Sequence, residues 1–322
     1  MKRLLVMLWL MVAGLARATL PDAVTVNGVE FVRVPAGEFF YTVETDAWHL
    51  MPNGPPLFRH VRVWLDEFYM AKYEARARDY LRFLQAGAAP AEMLTRLYAN
   101  ESQRVGRWIG GDYIHLPPGS GETVGCTVRH GPDGTFTLVF PEQDMPATDL
   151  TWELADVFAQ WMGFRLPTEA EWQKAARGTD RRVWPWGDDY PDDTFIHFES
   201  SRRCHPAPVD AYPRGQSPYG VFNMAGNVSE FVADWYNVVF DAGLKDGDRN
   251  PSLAMTGTPP RTTAVREKPP LKIVKGGAYS QDPQNLAISM RQKSEIAASS
   301  RREGVRFALD AATVRRYLEG QR

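Results

Sequence analysis

The chain has 322 residues, 44% of them hydrophobic and 24% charged, and its 37 basic and 39 acidic side chains give a formal charge of −2. That length and apolar content can build one large core or two smaller domains, and the composition reads as globular. Nothing in that charge balance suggests a nucleic-acid partner.

The first element is "MKRLLVMLWLMVAGLARA". Lys2 and Arg3 precede an apolar run from Leu4 to Leu15, and Ala16-Arg17-Ala18 supplies the small residues of a cleavage site. This pattern predicts a secretory signal peptide over residues 1–18 and a mature protein, residues 19–322, that is periplasmic or secreted in a bacterium. A membrane anchor fits less well, because the run is shorter than the ~20 apolar residues that span a bilayer, and no second run follows. No cysteine stands at the cleavage point to carry a lipid. Loss of Lys2, Arg3 and Arg17 leaves 34 basic against 39 acidic residues, a formal charge of −5. In an oxidising compartment Cys126 and Cys204 can form a disulfide. Lying 78 positions apart, they can equally remain two free thiols, and neither has the spacing of a zinc site or a redox pair.

Ten tryptophans, 24 prolines and 26 glycines are spread along the chain, which suits a loop-rich fold packed by large side chains. "VNGVEFVRVPAGEFFYT" alternates apolar and polar positions and predicts a hairpin turned at Pro35-Ala36-Gly37. "VRVWLDEFYMAKYE" predicts a further strand region. In "ARARDYLRFLQAG", Ala77, Tyr80, Leu81 and Leu84 share a helical face, and Gly87 can stop the helix. From about 88 to 144 turn chemistry flanks short β candidates such as "FTLVF", and this stretch reads as an insertion within a single domain. "TWELADVFAQWMG" predicts a second helix, capped by Thr151, with Leu154, Val157, Phe158, Trp161 and Met162 as its buried stripe and Gly163 at its end. In "RLPTEAEWQKAARG", Thr168 and Glu171 form a Thr-x-x-Glu capping box, Trp172, Ala175 and Ala176 form the packing face, and Gly178 closes the helix. Short strands and turns follow to the end.

These last elements carry a resemblance. "RLPTEAEWQKAARG", "WPWGDD", "APVDAYPRGQSPYGVFNMAGNVSEFVADWY", "KGGAYS" and "GVRFAL" resemble, in order, the signatures of the formylglycine-generating enzyme (sulfatase-modifying factor) family. The resemblance runs from "FVRVPAGEFF" to "GVRFAL" and implies an α+β, loop-rich fold similar to an elaborated C-type lectin, with little regular secondary structure. In relatives that oxidise a sulfatase cysteine, two cysteines after the glycine pair bind copper. Here the run is "GGAYSQDPQNLAISMR", with Ala278 in place of a serine, Gln281 near the first cysteine position and Asn285 or Leu286 near the second. Cuprous ion prefers sulfur, so no copper is expected there. A histidine-based iron site is also unsupported: His49, His60, His115, His130, His197 and His205 are dispersed, and exposed or locally bonded histidines are the simpler reading.

The resemblance implies a structural calcium site at Asn223, Gly226, Val228 and Glu230 in "NMAGNVSEF". The chemistry is compatible, since calcium takes roughly six to eight oxygen ligands and Gly226 permits a tight path. The bland alternative is an Asn-Gly turn followed by a strand with a solvated Glu230. Tyr279, Gln281, Asp282, Asn285 and Arg291 would line the groove. Asp282 is the one nearby candidate acid or base, a weak one without a partner. Arg291 and Arg306 read more simply as buried arginines paired with carboxylates. Trp184 and Trp186 could form a carbohydrate platform, but packing against the capped helix is the plainer role.

Two readings of function follow. The first is an accessory or binding protein of a periplasmic assembly or signalling pathway, holding a protein partner, a peptide or a small molecule. The second is an enzyme of altered oxidative chemistry that matures an exported peptide or a siderophore precursor, as exported relatives do. Formylglycine generation itself remains as a fallback.

Overall fold

The computed structural model describes residues 19–44, 58–101, 106–109, 112–115, 123–124, 127–131, 133–198, 205–237, 241, 243–254 and 271–321. The expected signal peptide, His49, Cys126 and Cys204 lie outside the described residues.

The fold is mixed α+β with little regular structure, 23% helix and 27% strand among the described residues. Strand β1 (Ala23–Val26) turns into β2 (Val29–Val34) through Asn27 and Gly28. Both turn residues have positive φ, 48° and 82°, the geometry of a tight hairpin turn that matches strand twist. The expected hairpin at Pro35-Ala36-Gly37 is therefore corrected. That segment instead carries the chain out of one sheet and into another, where β3 (Gly37–Glu44) pairs antiparallel with β4 (Phe58–Leu65). The sheet left behind has the order β1, β2, β5 (Phe68–Ala71) and the last strand.

Helix α1 (Ala77–Gln85) buries Ala77, Tyr80, Phe83 and Leu84, so its inward stripe includes Phe83, with Leu81 half-buried. The stretch expected as an insertion holds α2 (Ala91–Glu101), the ribbon β6 (Gly106–Ile109) and β7 (Asp112–His115), and a small sheet of β8 (Thr123–Val124), β9 (Val128–His130) and β10 (Phe136–Leu138). Leu97, Val128, Phe136 and Leu138 pack on the main core, which ties this stretch to the rest of the fold.

Helix α3 (Trp152–Trp161) is capped by Thr151, whose hydroxyl accepts the Leu154 N–H. It buries Leu154, Ala155, Phe158 and Ala159, so the expected stripe is corrected: Trp161 is 40% exposed and Val157 half-buried. Helix α4 (Glu169–Arg177) begins with the full capping box of Thr168 and Glu171 and buries Trp172, Ala175 and Ala176. Then follow β11 (Ser229–Trp235), β12 (Leu271–Lys275), β13 (Gln292–Glu295), β14 (Glu303–Val305), β15 (Ala308–Asp310) and α5 (Ala311–Gly320).

The central sheet has the order β13, β12, β11, β14. Strand side chains alternate between faces, and here both faces are covered. Phe231, Val274 and Val305 join the core beneath α1 and α3. Val232 and Ile273 join a second core made with α4 and the β3–β4 hairpin. The loops at one end of this sheet form the candidate site.

Candidate functional site

The groove segment begins where β12 ends. Gly276 and Gly277 follow Lys275 at φ 88° and 70°, conformations that favour glycine. Gly277 is also required for space, because a Cβ there would lie 2.6 Å from Leu286 Cδ2 and 2.7 Å from the Asn285 carbonyl oxygen. The loop is closed by a 3-10 turn over Pro283–Leu286. A second turn holds it from the side: Gly226 N–H donates to the Gly276 carbonyl at 2.8 Å and Tyr279 N–H to the Asn227 carbonyl at 2.9 Å.

Four of the five expected groove residues lie on this loop. Tyr279 is buried and stacks on His197 at 6.0 Å, and His197 stacks in turn on Tyr212 at 6.2 Å. Gln281 Oε1 accepts from the Ala278 N–H at 2.8 Å and from Gln292 Nε2 at 2.7 Å. Gln292 Oε1 faces the Ser229 hydroxyl at 3.5 Å. Ser280 Oγ is buried with no hydrogen-bond partner. Asn285 is half-buried, and Asp282 is exposed at the start of the 3-10 turn, where its side chain caps nothing.

Arg291, also placed in the groove set, instead takes the simpler expected role of a buried arginine paired with carboxylates. It points into the core and binds two carboxylates: Glu169, at 2.7 Å through Nε and 2.5 Å through Nη2, and Asp241. Tyr41 donates its hydroxyl to Glu169 at 2.8 Å, and Lys275 approaches the same carboxylate at 3.3 Å. Burial opposes ionisation of Glu169, but Arg291 and Lys275 outweigh it and hold the group at about 2. Burial likewise pushes Lys275 down to about 8. Gly276, Gly277 and Arg291 thus shape the groove from beneath.

The Asn223 turn is built on a second buried knot. Asn223 (φ 53°), Gly226 (φ 70°) and Asn227 (φ 56°) all adopt left-handed backbone. The two asparagine amides donate to Glu74, at 2.8 Å from Asn223 and 3.0 Å from Asn227. Burial pushes Glu74 up to about 8, with Arg306 pulling against it and Glu230 adding to it. Glu230 accepts from Arg306 through both oxygens and from Trp172 Nε1 at 2.7 Å.

The four expected calcium positions therefore divide. Asn223 Oδ1 is buried and accepts no hydrogen bond, as an oxygen offered to a hard cation would. Glu230, in contrast, has its lone pairs occupied by Arg306 and Trp172, so it does not fit the part of anionic ligand while that ion pair stands. Copper fits no better at the groove, where Gln281, Asn285 and Leu286 present amides and an aliphatic chain to an ion that prefers thiolate. Among the described residues no three His, Cys, Asp or Glu side chains converge as a metal site. Of the histidines, His60 meets the Thr42 hydroxyl, His197 the His205 carbonyl and His205 the Pro206 carbonyl.

Trp184 and Trp186 stack at 6.2 Å, and Trp186 stacks on Phe195 at 5.1 Å. They pack with Ile196, Ala225 and Leu286, against the groove loop and not against α4 as expected. One further carboxyl was not singled out in the sequence. Glu303 stands opposite Ser229 on β14, and its Oε2 accepts from Ser294 Oγ at 3.4 Å. Burial pushes it up to about 7. Its sequence setting, "RREGVRF", looks like an exposed charged turn, and only the strand pairing shows what it faces.

The family model described as the sulfatase-modifying factor enzyme 1-like domain matches residues 17–311. The formylglycine-generating enzyme of Mus musculus is 29% identical over 284 residues, 83% of this chain and 69% of that protein. The hercynine oxygenase of Mycobacterium tuberculosis is 31% identical over 176 residues, 52% of this chain and 37% of that protein. Among solved structures, PvdO from Pseudomonas aeruginosa superposes with a TM-score of 0.58 at 20% identity, covering 91% of this chain and 100% of that one, a likeness of fold.

Proposed function

The chain belongs to the sulfatase-modifying factor enzyme 1-like family, and from that premise we propose that it is an exported accessory or binding protein of a periplasmic assembly or signalling pathway. The observation that carries this reading is Gln281. At the position where an oxidase would hold a copper thiolate, its amide is tied to the Ala278 N–H and to Gln292. A groove walled with amides and hydroxyls is chemistry for recognition, and cuprous ion has no sulfur to bind there.

A second reading is an enzyme of altered oxidative chemistry acting on an exported peptide or siderophore precursor. It is favoured by the Tyr279, His197 and Tyr212 stack beside the groove, since phenols and imidazoles are proton-transfer groups. Formylglycine generation has the weakest support, because residues 278–291 contain no cysteine. Calcium at the Asn223 turn belongs to the proposal as a weakly held ion, supported by the open Asn223 Oδ1 and opposed by the occupied Glu230.

The test is metal analysis of protein purified without chelator, together with incubation with cuprous ion, oxygen and a Cys-x-Pro-x-Arg peptide. The binding reading expects neither copper nor iron at one equivalent and no aldehyde product. A stoichiometric redox metal would put the enzyme reading first, and peptide conversion would overturn both.

A further inference from the structure

Among the described residues, most buried or half-buried carboxyl groups are matched by a countercharge or by several donors. Glu169 and Asp241 share Arg291, and Glu230 has Arg306. Glu171 has Arg165, Asp234 accepts two backbone N–H groups and the Ser252 hydroxyl, and Glu74 holds two asparagine amides. Glu303 departs from this pattern. Half-buried on β14, it has one long hydrogen bond, from Ser294, and no ion pair with any described residue. The groups facing it are neutral: Ser229 opposite on β11, and Ser294 on β13. A carboxyl desolvated without a countercharge favours its protonated form, and burial pushes this one up to about 7. Its strand-register partner is Ser229, whose hydroxyl ends a polar line that starts in the groove and runs from the Ala278 N–H through Gln281 and Gln292.

We propose that Glu303 anchors a positively charged group, an alkylammonium or guanidinium, presented to the groove by the ligand or partner. This rests on the reading of the groove as a binding site. A cation arriving at Glu303 supplies the countercharge that the other buried carboxylates already have, and it meets no resident cation to displace. Charge-assisted hydrogen bonds to a poorly hydrated carboxylate are the strong kind, and a planar guanidinium can make two at once. The neutral hydroxyls and amides alongside accept or donate at the flanks without repelling a cation. Glu303 binds as a carboxylate, so engagement below neutral pH releases a proton.

The experiment is a calorimetric titration of the mature protein at pH 7 with N-acetyl-arginine methylamide and with its uncharged citrulline counterpart, repeated on Glu303→Gln. The arginine probe is expected to bind about tenfold more tightly than the citrulline probe to the wild type, and equally to Glu303→Gln. Glu303→Gln removes a desolvated acid and leaves its shape, so a thermal midpoint at or above that of the wild type checks its fold. If the two probes bind the wild type alike, the groove binds ligands but Glu303 is not its cation anchor. If neither probe binds, the anchor and the binding reading fall together. A preference for the arginine probe that survives Glu303→Gln also overturns the assignment.

Discussion

Replacing Arg306 by methionine tests the buried knot that supports the Asn223 turn. Arg306 is fully buried and bonds Glu230 through Nε and Nη2, the Ala71 carbonyl at 2.9 Å and the Phe222 carbonyl at 2.8 Å. Removing the guanidinium leaves Glu230 with Trp172 Nε1 as its remaining donor and deprives two carbonyls of a partner. Stranding one member of a buried ion pair costs about 3–5 kcal/mol, and each orphaned carbonyl adds about 1 kcal/mol or more. Part of this returns when Glu230 takes up a proton, so the net loss should be about 4–6 kcal/mol. With a urea slope of about 3 kcal/mol per molar, the unfolding midpoint followed by tryptophan fluorescence should fall by about 1.3–2 M. Pairing Arg306→Met with Glu230→Leu removes both charges and should recover at least half of that shift. A single-variant shift below about 0.3 M, or a double variant as unstable as the two single losses combined, would refute the account of a coupled, desolvated pair.

Gly226→Ala should destabilise by about 2–4 kcal/mol, because φ is 70° and the added Cβ would lie 2.5 Å from Ile196 Cγ1 and 2.6 Å from the His197 carbonyl oxygen. Equilibrium urea unfolding measures it, and a loss under about 0.5 kcal/mol would contradict the packing. Glu74 is raised from an ordinary 4.5 to about 8 in the fold, so its stabilising contribution is complete below about pH 4.5 and is lost as the pH rises through 8. Its full size is about 3–5 kcal/mol. Thermal midpoints should therefore fall between pH 5 and pH 9 by more in the wild type than in Glu74→Gln, and parallel pH profiles would show that Glu74 is not neutral in the fold. With Glu230 occupied, calcium at about 1 mM should raise the melting temperature by only about 1–2 °C relative to chelated protein. A rise above about 5 °C would mean that Glu230 leaves Arg306 for the metal.

Sequence signals are legible where the physics is local. The Thr168 and Glu171 capping box lies within four residues and appears in the structure as expected. The Thr151 cap is equally short-range. The first hairpin was misplaced because Pro35-Ala36-Gly37 looks like a stronger turn than Asn27-Gly28, and pairing partners decide between them. The groove loop is legible from its motif and so is the burial of Arg291, but the identity of its partners is not, since Glu169 and Asp241 lie 122 and 50 positions earlier. Glu74, which neutralises nothing and is held by two amides, has no signature in sequence at all. Glu303 is similar: an acid among arginines in the chain becomes an acid among hydroxyls in the sheet.

The two internal arginines also govern the order in which the molecule can be completed. Arg291 reaches back 250 positions to Tyr41, and Arg306 reaches back 235 positions to the Ala71 carbonyl. Until both have been synthesised, Glu169 has only Lys275 beside it and Glu230 lacks its counter-ion, so neither buried knot is complete. Contacts this distant along the chain also slow folding, since long loops must close before they are rewarded. The carboxy-terminal strands thus act as a clasp fastened last, and a ribosome-bound chain stays open nearly to its final residues.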